Sequence, residues 1–255
     1  MAEPTETPAE QAARTLALLW RHERPLPVPA RGPKPAVTVD EVVAAAIALA
    51  DREGLDKVSV RAVAAELGLR AMSLYTYVPS KESLLVLMVD QVARADPPIP
   101  AGLPVRDRLR ALAATVRAEL LAHPWLLEVS PWRQVLGPGR MRRYERQLAA
   151  LDGSGLDDVA MDRAVAVLTE FATGNARTAV AAAAEAARMS DARWWELHGP
   201  LLAEVMPAEE FPLASRVGAA AGEVYQAPAD PDGAFDYGVG LLIEGILTGA
   251  GRTEP

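Results

Sequence analysis

Four helical runs follow one another between Thr38 and Ala95, and only Gly68, Leu69 and Arg70 separate the second from the third. A connection that short forces the two helices to pack directly on each other, as in a helix-turn-helix. Thr38 is placed to N-cap the first run, with Glu41 three residues on completing a capping box. Val42, Val43, Ala46, Ile47 and Ala50 then recur at helical spacing, and Gly54 offers a left-handed C-terminal position. The second run starts near Ser59 and turns Val60, Val63, Ala64 and Leu67 inward until Gly68 gives the backbone the freedom a tight turn needs. The third is expected over Ala71–Tyr77, ended by Pro79. Ser80 caps the fourth, which continues through Leu84, Leu85, Leu87, Met88 and Val92. Ala64, Leu69 and Leu74 can bury where the pair crosses. Arg70, Ala71, Met72, Ser73, Thr76 and Tyr77 are then left toward solvent, where a recognition helix meets the major groove.

The rest of the chain divides around this block. Residues 1–10 hold Pro, Thr and Glu with little to bury, so they are expected to be disordered. A short helix is possible over 11–23. Residues 24–36 cannot be helical, because their prolines fix φ and remove amide donors. That segment is an extended arm with Arg24, Arg31 and Lys34, suited to a minor groove or to a solvated linker. The run Asp96-Pro97-Pro98-Ile99-Pro100 marks a boundary. Beyond it, helical patterns fill 105–122, 124–130, 138–151, 156–189, 191–205, 208–226 and 233–249, with Pro200 expected to interrupt or kink its segment. The expectation is an all-α chain in three parts. Residues 1–37 are a flexible N-terminal extension with a basic arm, 38–95 a three-helix helix-turn-helix DNA-binding domain, and 101–250 a helical ligand-binding and dimerisation domain.

Charge and composition narrow the function. The net charge of −8 argues against nucleic acid only until its distribution is considered. Between 31 and 95 about eight Lys/Arg meet about eight Asp/Glu, whereas the acidic excess lies in 96–255. With no cysteine, disulfides and thiolate metal sites are ruled out, which fits a cytoplasmic protein. No run of about 18 apolar residues suggests a membrane span. His123 and His198 are too isolated for a metal site, and no cofactor is expected. A Gly-rich phosphate loop, HExxH and GxSxG are all missing, so the chain is not expected to be an enzyme.

Several short motifs carry a family resemblance: Ala50-Asp51-Arg52-Glu53-Gly54-Leu55, Ser59-Val60-Arg61-Ala62-Val63-Ala64, Leu67-Gly68-Leu69, Ser73-Leu74-Tyr75-Thr76-Tyr77-Val78 and Lys81-Glu82-Ser83-Leu84-Leu85. Together they cover about 50 residues without a gap, and the stretch resembles the tetracycline-repressor (TetR) family of bacterial regulators. That resemblance implies DNA contact by Arg61 in the second helix, and by Arg70, Ala71, Met72, Ser73, Tyr75, Thr76 and Tyr77 on or at the entry of the recognition helix. It implies phosphate contact by Tyr75 and by Lys81. Ala71 and Met72 cannot make bidentate bonds to bases, so direct readout rests on Arg61, Arg70 and Ser73, with DNA shape supplying the remainder.

The resemblance further implies a C-terminal regulatory domain whose two long late helices, 156–189 and 233–249, pair between subunits of a homodimer. The first carries Ala164, Val167, Phe171, Gly174 and Ala179, the second Phe235, Val239, Leu242, Ile243 and Ile246. An apolar or aromatic small-molecule inducer is implied, with Trp125, Trp132, Met141, Tyr144, Phe171, Asn175, Trp194, Trp195 and His198 as the candidate lining. The expected function is a transcriptional repressor released from operator DNA by a ligand. The alternatives are an activator of the same fold and a helical interaction protein without DNA binding.

Overall fold

The protein is described by a computed structural model covering residues 7–24, 36–100, 102–130 and 135–249. Among these residues are eleven α-helices, two short 3-10 turns and no strand. Arg31 and Lys34 of the basic arm lie outside the described residues, as do Trp132 and the first six positions.

The first core gathers α1 (Pro8–Leu19), α2 (Val39–Glu53), α3 (Val60–Glu66), α4 (Ala71–Leu74) and α5 (Lys81–Arg94). Its helices start where local chemistry tells them to. Thr38 Oγ1 accepts the Glu41 N–H at 3.1 Å while the Glu41 carboxylate accepts the Thr38 N–H at 2.6 Å. Ser59 and Ser80 likewise cap α3 and α5 through Ala62 and Ser83, each at 3.1 Å. Gly68 turns the chain between α3 and α4 with φ +66°, and a Cβ there would meet nothing within 4 Å. The turn therefore requires glycine for its backbone angle and not for space. Gly54 closes α2 at φ +93° and ψ 163°, a region essentially reserved for glycine but not the left-handed helical one. Val42, Val43, Ala46, Val63, Ala64, Leu74, Leu84 and Met88 are all buried at the centre.

Two expectations change here. The helix over 71–77 is regular only to Leu74. The Thr76 hydroxyl takes the Ser73 carbonyl at 2.7 Å, and the Thr76 and Tyr77 amides bond three residues back, which tightens the last turn before Pro79. The expected flexible extension over 1–37 does not hold for residues 7–24. Thr7 and Glu10 form a capping box at the head of α1, and Leu18 and Leu19 are buried. Thr15 and Ser83 share a buried hydroxyl hydrogen bond at 3.0 Å, which docks α1 on α5.

The second core is built from α6 (Val105–Ala122), α7 (Pro138–Leu151), α8 (Asp158–Arg188) and α11 (Pro231–Gly249). Leu109, Leu112, Leu151, Leu168, Val239 and Ile243 are fully buried in it. α11 lies close on α8 because residue 238 is glycine, since a Cβ there would overlap the Phe171 ring. By contrast, α9 (Asp191–Val205) and α10 (Pro212–Tyr225) bury no residue. Pro200 does not interrupt α9, which runs through it on an exposed path where solvent can meet the carbonyl left free.

Two of the joints between the cores centre on acids of the first core. Asp90 of α5 is only 4% exposed, and its carboxylate accepts the N–H groups of Gly139 at 3.1 Å and Arg140 at 3.0 Å. It thus caps α7 from another helix, at the positive end of that helix. Glycine at 139 is needed there, because a Cβ would overlap the Asp90 carbonyl oxygen. The second joint sits on α2, where Asp51 accepts Trp125 Nε1–H at 2.7 Å and pairs with His123 Nδ1 at 2.7 Å.

Candidate nucleic-acid interface and ligand cleft

On the α3–α4 pair, burial and exposure separate cleanly. Val63, Ala64 and Leu74 face the core, whereas Arg61, Arg70, Ser73, Thr76 and Lys81 are exposed. Met72 is 76% exposed and Tyr75 43%, far more than large side chains retain when their task is packing. Arg61, Arg70 and Lys81 form no ion pair among the described residues, while the nearby Arg52 is held by Glu53 and by Glu66 at 2.7 Å. Ala71 is half-buried, and Tyr77 packs partly against the first core, so its ring is shared between structure and surface.

Most of the aromatic residues proposed from sequence as a ligand lining are not brought together. Trp125 is 1% exposed and belongs to the first core, where its indole is tied to Asp51. Phe171 stacks on Phe235 at 6.1 Å between centroids. Asn175 accepts Arg117 Nε–H at 2.6 Å and donates to the Pro231 carbonyl at 2.8 Å, so it ties α6, α8 and the start of α11. Trp194, Trp195 and His198 form their own exposed cluster on α9, with Trp194 and His198 stacked at 4.2 Å.

Met141 and Tyr144 do line a common space. It is a cleft of about 520 Å³ between α5, α6, α7, α8 and the 3-10 turn Pro124–Glu128. Its apolar wall includes Val89, Val116, Leu120, Leu126 and Val129, and its polar wall Glu119, Arg140, Arg143, Gln147, Thr169, Thr173 and Arg177. Sequence reasoning missed these polar residues. A legible sign existed for Arg140: it opens α7 after Gly137-Pro138 with Arg143 and Tyr144 at i+3 and i+4, so no acid stands at helical spacing to absorb its charge.

Electrostatics differ along that polar wall. Arg143 is neutralised, with Nε on Asp96 at 2.6 Å and Nη1 on Glu119 at 2.9 Å. Burial pushes the Glu119 carboxyl above the usual carboxylate range, against the pull of Arg143. Arg140 has no ion pair among the described residues, and burial together with the neighbouring Arg143 charge pushes its guanidinium below the ordinary arginine value.

Residues 37–88 match the family described as bacterial regulatory proteins, tetR family, and residues 101–249 match the tetracyclin repressor-like C-terminal domain, which alone spans more than half of the chain. The chain belongs to the tetR family. This tetR-family chain is 41% identical over 206 residues to the HTH-type transcriptional repressor DrrR1 of Streptomyces coeruleorubidus, covering 79% of the chain and 75% of that repressor. Its fold matches apo ActR of Streptomyces coelicolor at a TM-score of 0.70 and 30% identity, over 87% of the chain and all of ActR. ActR in complex with actinorhodin matches at 0.70 and 29% identity, over 86% and 99% of the two chains. The tetR-family chain is thus a DNA-binding transcription regulator with a helix-turn-helix at its N-terminal side. Among the described residues no helix is long and apolar enough to cross a membrane.

Proposed function

We propose that the chain is a cytoplasmic, homodimeric repressor that grips operator DNA with α3, α4 and the head of α5, and that a small molecule in the α6–α7–α8 cleft releases it. The reading rests most heavily on one observation: the unpaired cations and uncovered Met72 and Tyr75 all sit on or beside the helix-turn-helix pair. In this reading Arg61, Arg70, Ser73 and Thr76 meet base edges or sugar-phosphate, and Tyr75 and Lys81 meet phosphate, with Tyr77 partly structural. Ala71 and Met72 contribute apolar contact such as a thymine methyl offers. Residues 38–95 act as the DNA-binding domain, joined by α1, and 101–250 as the regulatory and dimerisation domain.

Dimerisation is supported by apolar surface that the single chain leaves open. Val167 on α8 and Tyr237 and Leu241 on α11 are exposed, as are Leu201, Val205, Leu213 and Val224 on α9 and α10. Ala164, Phe235, Val239 and Ile243 of the two expected stripes are spent on the intrachain core instead. In this reading the second copy covers these exposed apolar side chains. Twofold symmetry would set two α4 helices roughly 34–36 Å apart, on successive major grooves.

Release follows from the joints. The cleft is walled by Val89 of α5 and by Arg140 and Met141 of α7, the same two helices that Asp90 clamps. A ligand that moves α7 shifts α5 and with it the α4 spacing. Coupling of about 1–3 kcal/mol between the sites is enough for a working switch. A mobility-shift titration on the protein's own promoter, with aromatic small molecules added in turn, tests this. Binding at low salt and release by a compound that fits the cleft is the expected outcome. A compound that binds the protein tightly and leaves operator affinity unchanged would remove ligand release from the account.

A further inference from the structure

Five side-chain polar atoms among the described residues are buried without a hydrogen-bond partner, and two of them, Arg140 Nη1 and Thr169 Oγ1, belong to residues that line the same cleft. Buried polar groups in native proteins are nearly always satisfied, so two orphans in one cavity wall call for an explanation. The other three are all arginine Nε atoms. Crowding does not explain Arg140. Its one nearby acid, Asp90, is already occupied by the Gly139 and Arg140 backbone amides. The other carboxylates that reach α7 are engaged elsewhere, Asp96 and Glu119 by Arg143, Glu23 by Arg142 and Asp162 by the Tyr144 hydroxyl. A third cation, Arg177, enters the same cleft and among the described residues donates to the Leu127 carbonyl at 3.2 Å without an ion pair. The lining therefore carries Arg140, Arg143 and Arg177 against the single acid Glu119, beside an apolar wall.

We infer that the cleft is built for an anionic ligand, an aromatic acid whose carboxylate pairs with the Arg140 guanidinium and whose neighbouring carbonyl or hydroxyl oxygen takes the Thr169 hydroxyl. A guanidinium presents paired N–H donors that match a carboxylate, and burial strengthens such charge-assisted bonds. The rings then lie on Val116, Leu120, Leu126, Val129 and Met141. Arg140 has a further consequence: its own amide is held by Asp90, so the residue that grips the ligand also forms the α5–α7 clamp. This inference rests on the ligand-responsive reading above and gives it a chemical class.

The probes are benzoic, 2-naphthoic and anthracene-2-carboxylic acids with their matched carboxamides, titrated by calorimetry into the full chain. Acids should bind at least about tenfold tighter than amides of the same ring size, a difference of ~1.4 kcal/mol. Arg140→Gln should abolish the preference, Arg140→Lys should keep part of it and serves if the Gln variant melts early, and Thr169→Val should weaken the acids a few-fold. Equal affinity for acid and amide, an acid preference that survives Arg140→Gln or stays undiminished in Arg140→Lys, or no acid binding at millimolar concentration would overturn the inference. Operator release separates the two readings. Release by neutral amides with no acid preference removes the anion site and keeps the regulated repressor, whereas acid-selective binding without release does the reverse.

Discussion

The two halves of the molecule spend their side chains differently. Around α2–α5, the residues buried and the residues offered to a partner alternate at helical spacing, so one short stretch carries both core and surface: Leu74 is buried while Met72 and Tyr75 stand out. Around α6–α8, the cleft wall is assembled from positions far apart in the chain, such as Glu119, Arg140 and Arg177. A surface that must fit a regular double helix can be written locally. A cavity that must fit one small molecule is closed by tertiary contacts.

Four variants break or sharpen that contrast. The largest effect is expected at the C-terminal surface proposed to meet a second copy. Tyr237→Glu with Leu241→Glu should leave single chains in sedimentation velocity and weaken operator binding by about 10²–10⁴-fold, because two half-sites are no longer engaged together. A folded dimer with full affinity would place the interface elsewhere. Next comes Leu74→Ala, which opens a cavity in the crossing of α3 and α4. A loss of about 2–5 kcal/mol by denaturant unfolding is expected, together with lost DNA binding. Asp90→Ala uncaps α7 and should cost about 1–2 kcal/mol, and its more telling effect is on coupling. The variant should still bind ligand while operator release becomes weaker, measured as the shift in operator midpoint with saturating ligand. Smallest in stability is Met72→Ala, within about 0.5 kcal/mol of the parent, although it should change which promoter variants are preferred at the contacted base pair.

Legibility in the sequence follows the same contrast. Thr38 with Glu41, Ser59, Gly68 and Ser80 act within four residues of themselves, so the starts of α2, α3 and α5 and the tight turn could be read directly. The end of α4 could not, because it depends on the Thr76 hydroxyl competing for a carbonyl. Trp125 looked like a ligand-facing aromatic, and only its bond to Asp51, 74 residues away, shows it to be a core residue of the other half. Asp90 reads as an ordinary surface acid on a helix until α7 is set against it. α1 was legible as a helix from its apolar positions, but its docking through Thr15 and Ser83 was not.

The most direct test of DNA contact by the α3–α5 surface is the salt dependence of binding to a promoter fragment, compared between the parent and an Arg61→Ala, Lys81→Ala double variant. Each phosphate contact contributes a slope of about −0.9 in log affinity against log salt. Two such contacts per subunit in a dimer should therefore flatten the slope by about 3 to 4, with folding preserved. A parent that shows no affinity at low ionic strength, or a double variant whose slope matches the parent's, would contradict the account.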